Sequence, residues 1–450
     1  MQSYEYLIIG GGIAGVTAAE TIRGRDTRGR IGIVSDEPHT LYSRVLLPAY
    51  LKKRIPRNRL FLRTADDFTK KNIALLLGQE ARAIDTRKKE VIFLDGNRCG
   101  YEKLLIAGGG RVAPWNEKEN ERWIWRLQTI EDADRMRASL PAFRHALVAG
   151  GSFIALEFLE IFAENKIPCT LLLKGPHFFE HILDPRGGEM LRENFEKQGI
   201  RVEINDSIAH IVSRVNPARI RSAGDEVSHG AERWGIISNR IKKPEAAEHP
   251  EDLQIAEYAE VFTQAARQIT CDAVGLGIGI ERRIGWLKDS GILLGSRGVL
   301  ANEFLETNVS DVFAAGDIAE RYDPLRGGHH ADGNWTGAFL SGRHAGLVMT
   351  GDRMQYRHIP VYSISNLGFQ ITVVGYCEPD AETKMRIDAG RSRYERFFFK
   401  SGMLRGAVLI NCFGDKAHLA RIIETQSPVD TYGQELTDFK FDVNQIPIVE

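Results

Sequence analysis

Cysteine is scarce. Five occur in 450 residues, Cys99, Cys169, Cys271, Cys377 and Cys412, and the nearest two stand 35 positions apart. That spacing excludes C-x-x-C redox pairs and the short-spaced zinc and iron–sulfur patterns. Any redox chemistry must then come from a bound cofactor. An excess of either charge is also missing: 59 Lys and Arg face 60 Asp and Glu, for a net charge of −1. This balance argues against nucleic acid or an anionic membrane surface as the main partner. Long hydrophobic runs are lacking too. The apolar stretches 146–162 and 271–280 are too short, or too interrupted by Glu157 and Glu160, to cross a bilayer. The opening Met-Gln-Ser-Tyr-Glu-Tyr has no basic n-region and no small-residue cleavage site, so no secretory signal is expected. A cytoplasmic, reducing compartment is the expectation. With 43% hydrophobic and 26% charged residues the chain has the composition of a globular protein, at a length of about three domains.

Glycine, by contrast, is plentiful at 44 residues, above the ~7% average share, and the excess clusters into motifs. Residues 4–9 read as a short apolar strand, Gly10-Gly11-Gly12-Ile13-Ala14-Gly15 as a turn, Val16 to about Arg25 as a helix, and Arg30–Val34 as a second buried strand ending at Ser35-Asp36-Glu37. Strand, glycine turn, helix, strand and acid form a dinucleotide-binding opening. Gly10 makes the tight turn, Gly12 leaves room for a pyrophosphate against bare backbone, and Gly15 lets the helix pack on the strand; Ile13 and Ala14, within the turn, are expected to touch the cofactor. Asp36 or Glu37 would accept ribose hydroxyls. The bland alternative is a glycine turn with no ligand.

The pattern recurs once. His145–Ala149 is a strand, Gly150-Gly151-Ser152-Phe153-Ile154-Ala155 the turn, Leu156–Asn165 a helix, and Pro168–Leu173 the next strand. Gly150 keeps the turn, and Ala155 is tolerated as the third small residue. Ser152 puts a Cβ where the pyrophosphate should approach. Leu173 and Lys174 stand where NAD binding wants an acid. The site then either takes NADPH, with Lys174 and His177 supplying positive charge, or binds weakly, or is a relic. Between the two units, 82–93 alternates like a hairpin and Leu104–Ala107 runs into Gly108-Gly109-Gly110. After them come a helix at Pro185–Gln198, a strand at Ile200–Ile204, an irregular insertion at about 214–252, a hairpin from 256–262 and 268–274, and a helix over 330–350. From about 355 the pattern turns to strands (361–366, 369–376, 394–399, 403–410) and a last helix, Asp415–Glu424.

A third motif joins these, a strand over Val312–Ala315 ending in Gly316-Asp317. With it the chain resembles the two-dinucleotide-binding-domain flavoproteins, the pyridine nucleotide-disulfide oxidoreductase superfamily, whose A-x-G-D signature matches Ala314, Gly316 and Asp317. The stretch Pro38–Tyr50 has no Cys pair. It is similar instead to the Cys-free branch of rubredoxin and ferredoxin reductases, the flavin module of nitrite reductase and apoptosis-inducing factor. The branch pattern Y-x-R-x-x-L-S-K is met by Tyr42, Arg44 and Leu47, with Pro48 and Ala49 in place of the Ser and the Lys that lies near the flavin ring. Two further departures are Ala107-Gly108-Gly109 for A-T-G, and Gly279-Ile280-Glu281-Arg282-Arg283 for G-I-x-P-N.

The resemblance implies an α/β fold with two Rossmann-like dinucleotide-binding domains plus a C-terminal α+β domain. The FAD-binding domain is expected to be discontinuous, 1–112 and 266–350, around an NAD(P)-binding-like domain at 113–265, with 355–450 as an interface domain. FAD and NAD(P)H are the implied cofactors. Asp317 would hold the ribityl chain, Arg44 would touch FAD, Trp335 and Ala338 would lie on a helix that runs under the flavin, and Glu157 would lie near the nicotinamide. The implied activity is hydride transfer from a reduced nicotinamide to the flavin and single-electron transfer onward to a rubredoxin- or ferredoxin-like protein. The rival is a flavin-carrying subunit of a larger redox complex with a degenerate nicotinamide site. A homo-oligomer is compatible with either. Solvated or packed roles are the simpler readings of the remaining candidates: His329-His330-Asp332 as metal ligands, Cys412 as a reactive thiol, and the basic cluster Lys52-Lys53-Arg54-Arg57-Arg59 as a docking face.

Overall fold

The computed structural model describes residues 2–115, 118–215, 221–222, 253–254, 257–429 and 432–449. Three sheets organise them. The first is built on Gln2–Ile9, which pairs in parallel with Ile31–Ser35 on one side and Arg98–Ile106 on the other; Ile73–Leu77 extends the first edge. Arg98–Ile106 serves two partners along its other edge. Its first half pairs antiparallel with Glu90–Phe93, one arm of a hairpin with Ala81–Asp85, and its second half pairs in parallel with Val312–Ala314. Leu7, Ile8, Ile31, Ile33, Leu104 and Leu105 are buried, as a parallel sheet covered on both faces requires. One cover is helix α1, Ile13–Arg25.

The second sheet is all parallel, in the order Arg201–Glu203, Cys169–Leu172, Ala146–Ala149, Ala273–Leu276, Ile124–Trp125. Helix α2, Phe153–Glu164, connects its two central fingerprint strands. Beside it lies an antiparallel sheet of Ile208–Val215, Glu257–Thr263 and Gln268–Cys271. The hairpin expected from 268–274 therefore breaks at Asp272: Gln268–Cys271 stays in it, while Ala273–Leu276 enters the parallel sheet. The chain returns to the first unit near Ile280–Glu281, which pairs with Arg111–Val112 where it left. Of the insertion, Arg221–Ser222 pairs with Leu253–Gln254; its other residues, 216–220 and 223–252, lie outside the described residues.

Helix α3, Trp335–Met349, is shorter than the expected 330–350 because Gly328–His330 forms a hairpin with Ala319–Asp323 and Asn334 caps the helix, accepting a hydrogen bond from the Gly337 amide. α3 closes the first unit by lying on α1. A Cβ on Gly342 would stand 2.2 Å from the Ala14 carbonyl oxygen, and one on Gly346 would stand 2.8 Å from that of Ala18, so glycine is what lets the two backbones approach. The third sheet is antiparallel, in the order Val361–Asn366, Phe369–Gly375, Met403–Ile410, Arg393–Lys400, Glu382–Asp388, with the helix Lys416–Thr425 against it. The molecule is thus α/β, two Rossmann-like units and a further α+β unit. No described helix is long and apolar enough to cross a membrane.

Candidate functional site

The first glycine turn shows a division of labour. Gly10 has φ +121°, and a Cβ there would lie 2.2 Å from the Ala107 carbonyl oxygen; one on Gly15 would lie 2.0 Å from that of Gly10. Both positions require glycine for the fold itself. At Gly12, the N-cap of α1, a Cβ would meet nothing within 4 Å. That space belongs to a cavity of about 920 Å³, in the upper range for small-molecule sites. Its walls include Gly10, Gly12, Ile13 and Ala14, then Asp36, Glu37 and Arg44, then Ala107, Gly108, Gly316, Asp317 and Trp335, with Glu157 reaching it from α2. Gly15 stands behind the wall, buried. An open cradle at a helix N-terminus, walled by glycine backbone, fits a pyrophosphate.

The acids after the second strand are already engaged. Glu37 accepts from the Tyr42 hydroxyl at 2.6 Å and from the Arg44 guanidinium, and Arg44 also donates to the Gln128 carbonyl oxygen at 2.6 Å. Asp36 pairs with Arg111. A carboxylate keeps further lone pairs for a ribose hydroxyl, so these contacts orient the acids without closing them. Gln128 went unnoticed in the sequence. Its side-chain amide donates to the Gly110 carbonyl oxygen at 2.5 Å and accepts from the Val112 amide at 2.6 Å, bracing the strand that leaves the glycine run. Only three-dimensional proximity marks it.

Asp317 is pushed up to about 6 by burial, against the pull of Arg282 and Arg44. Gly316, at φ +73°, packs on Ala14 and donates its amide to the Ser341 hydroxyl at 3.0 Å. Glu157 is pushed up to about 7, first by burial and then by Glu160, with Lys52 opposing. A half-buried carboxyl poised near neutrality on a cavity wall is the kind of group that exchanges protons at working pH.

The second turn is built differently. Gly150, at φ +115°, repeats the constraint at Gly10, since its Cβ would lie 2.4 Å from the Gly277 carbonyl oxygen. Ser152 caps α2: its hydroxyl donates to the Gly277 carbonyl oxygen at 2.8 Å and accepts from the Ala155 amide at 3.4 Å. Neither Gly150 nor Ser152 lines the 920 Å³ cavity. Beside them Phe153 meets Phe179 at 4.6 Å and Tyr362 of the third sheet at 4.9 Å between ring centroids. Lys174 is exposed, and His177 Nδ1 lies 3.1 Å from the Phe178 carbonyl oxygen.

The other candidates resolve simply. Lys52 pairs with Glu160, Arg54 with Glu164 and Arg57 with Asp134, so much of the basic cluster is neutralised inside the molecule. Arg321 and Arg326 hold Asp332 at 3.0 and 3.5 Å. Burial pushes the Cys412 thiol up to about 11.

Over residues 4–335 the chain matches the family described as pyridine nucleotide-disulphide oxidoreductase. It is 26% identical to apoptosis-inducing factor 3 of Mus musculus over 89% of this chain, but spans only 60% of that relative's length. It is 24% identical to the biphenyl dioxygenase system ferredoxin–NAD(+) reductase component of Paraburkholderia xenovorans, over 96% of this chain and 95% of the relative. Its fold superposes on a ferredoxin reductase from Rhodopseudomonas palustris with a TM-score of 0.81 at 20% identity, over 98% of this chain and 99% of the other. With both glycine turns, the Gly316-Asp317 strand end and three quarters of its length accounted for by that match, the chain belongs to the pyridine nucleotide-disulphide oxidoreductase family.

Proposed function

We propose that this chain is an FAD-dependent oxidoreductase that passes electrons from NAD(P)H to an iron–sulfur or rubredoxin-type protein. The observation that carries the reading is the open cradle at Gly12, continuous with Asp317 and Trp335 in one cavity. When bound there, FAD supplies the chemistry, accepting a hydride and releasing electrons singly. The chain's own residues bind and orient. Gly12 and the α1 N-terminus take the pyrophosphate, Glu37 and Asp36 the adenosine ribose, and Asp317 the ribityl chain. Trp335 and Ala338 floor the ring end. Glu157 holds a proton close to neutrality beside it. Five thiols, all raised by burial, take no part, and a reducing, cytoplasmic setting suits them.

A second reading, a flavin-carrying subunit of a larger redox complex, is favoured by one feature. The second turn is capped by Ser152 and flanked by packed aromatics, and neither Gly150 nor Ser152 lines the cavity that Gly12 opens on. Anaerobic mixing separates the two. Bleaching of the bound flavin by NADH or NADPH is the expected result; an unbleached flavin at saturating concentrations of both would replace the reductase reading with the subunit one.

A further inference from the structure

Arg282 is half-buried on the cavity wall. Its Nε donates to the Asp317 carbonyl oxygen. Among the described residues no carboxylate oxygen lies within 4 Å of its guanidinium, whereas three of the other wall arginines are matched, Arg44 with Glu37, Arg111 with Asp36 and Arg283 with Glu281, and the remaining one, Arg82, is exposed to solvent. Asp317, Asp332 and Glu320 pull on Arg282 from beyond 4 Å, yet burial outweighs them and holds it below the usual arginine range. The position therefore favours a further anion from outside the chain.

Geometry says which part of a ligand would supply it. The residue Arg282 touches, Asp317, follows Gly316, where a Cβ would lie 2.9 Å from the Ala14 Cβ in the first turn of α1. On its other side, a Cβ on Gly333 would lie 3.7 Å from Arg282 Nη2 and 3.6 Å from Asp317 Oδ2, two residues before α3 begins at Trp335. The guanidinium thus lies beside the Asp317 backbone and just ahead of the 15-residue α3, whose N-terminal amides favour negative charge.

We propose that Arg282 binds the diphosphate of the dinucleotide from the wall of the cavity that Gly12 also lines. The proposal rests on the reading that the cavity holds FAD. It adds a charge-assisted contact at a position where the family's G-I-x-P-N segment offers none of this kind.

The test compares three probes, FAD, ADP and riboflavin, on flavin-free protein, with dissociation constants from flavin fluorescence or calorimetry. Arg282→Gln is expected to weaken FAD and ADP by about tenfold to a hundredfold, the worth of one charge-assisted hydrogen bond to phosphate. Riboflavin, which has no diphosphate, should be unaffected. Arg282→Lys, which keeps the charge, should recover most of the loss and guards against a folding defect in the first variant. Unchanged FAD and ADP binding in Arg282→Gln overturns the proposal, as does an equal loss for all three probes, which would make Arg282 a mere support for Asp317. Failure of the unaltered chain to bind FAD is a distinct outcome that removes the FAD reading and the proposal together.

Discussion

At Gly12 a side chain would enter empty space, while at Gly10 and Gly15 it would strike carbonyl oxygens. Gly12→Val should therefore leave the melting temperature of the flavin-free chain almost unchanged, yet lower FAD affinity at least about tenfold by filling the cradle. Gly15→Val should cost about 2 kcal/mol or more of stability before any ligand is added. Thermal melts and flavin titrations on the same samples separate the two. Asp317 carries a pH signature. Its folded-state proton affinity, about 6, exceeds that of an unfolded Asp, so the folded chain binds the extra proton and loses stability as pH rises from about 4 to 6. Above that window the penalty is complete. Asp317→Asn should stabilise the flavin-free chain by about 1–2 kcal/mol at pH 7.5 and by almost nothing at pH 4, read from denaturant unfolding. Glu157→Gln should remove a step near pH 7 from the pH profile of flavin bleaching; a profile identical to the unaltered chain would dismiss Glu157 as the group involved. Asp317 and Glu157 were marked by the family resemblance alone, whereas Gly10 and Gly15 were legible because the backbone of the turn demands glycine. Arg282 and Gln128 were not, because their significance lies in neighbours 35 and 18 positions away.

On the scale of elements, α2 is more than the second fingerprint helix. Its Glu160 is buried and accepts from Lys52, from the Asn366 side chain at 2.7 Å and from the Leu367 amide at 3.2 Å. One carboxylate thereby joins the segment after Leu51, the second Rossmann unit and the first hairpin of the third sheet. The Lys52 side chain is only 5% exposed, so Glu160→Ala would strand its ammonium. A loss of about 3 kcal/mol or more is expected, largely recovered by the double change Lys52→Met with Glu160→Leu; thermal melts of the single and double variants check it. The strand–turn–helix–strand units at both glycine turns were legible in the sequence, because their strands are continuous buried apolar runs. The strand Glu382–Asp388 was not anticipated. Its polar sequence hides Arg386, 3% exposed and ion-paired with buried Glu395, and no hydropathy pattern marks a charged residue that is inside. The break at Asp272 was missed for the opposite reason: two apolar strands of different sheets follow one another with a single residue between them.

For the whole molecule, FAD in hundredfold excess over its dissociation constant should raise stability by about 2.7 kcal/mol, visible as a concentration-dependent melting temperature. FMN at equal excess should give much less, since it cannot fill the adenosine half. The interleaved chain has a further consequence, for synthesis. α1 is made early, but its partner α3 ends at Met349, and the strand Val312–Ala314 that completes the sheet edge also comes after the intervening domain. At roughly 5–20 residues per second, the ribosome takes roughly 10–50 s to travel from residue 112 to residue 349. Throughout that interval the close-approach face of Ala14 and Ala18 stays uncovered on the nascent chain. Translation of the intervening domain acts as a delay before the cavity can close, and pulse proteolysis of stalled nascent chains should find the first 110 residues cleavable until α3 has emerged and protected afterwards.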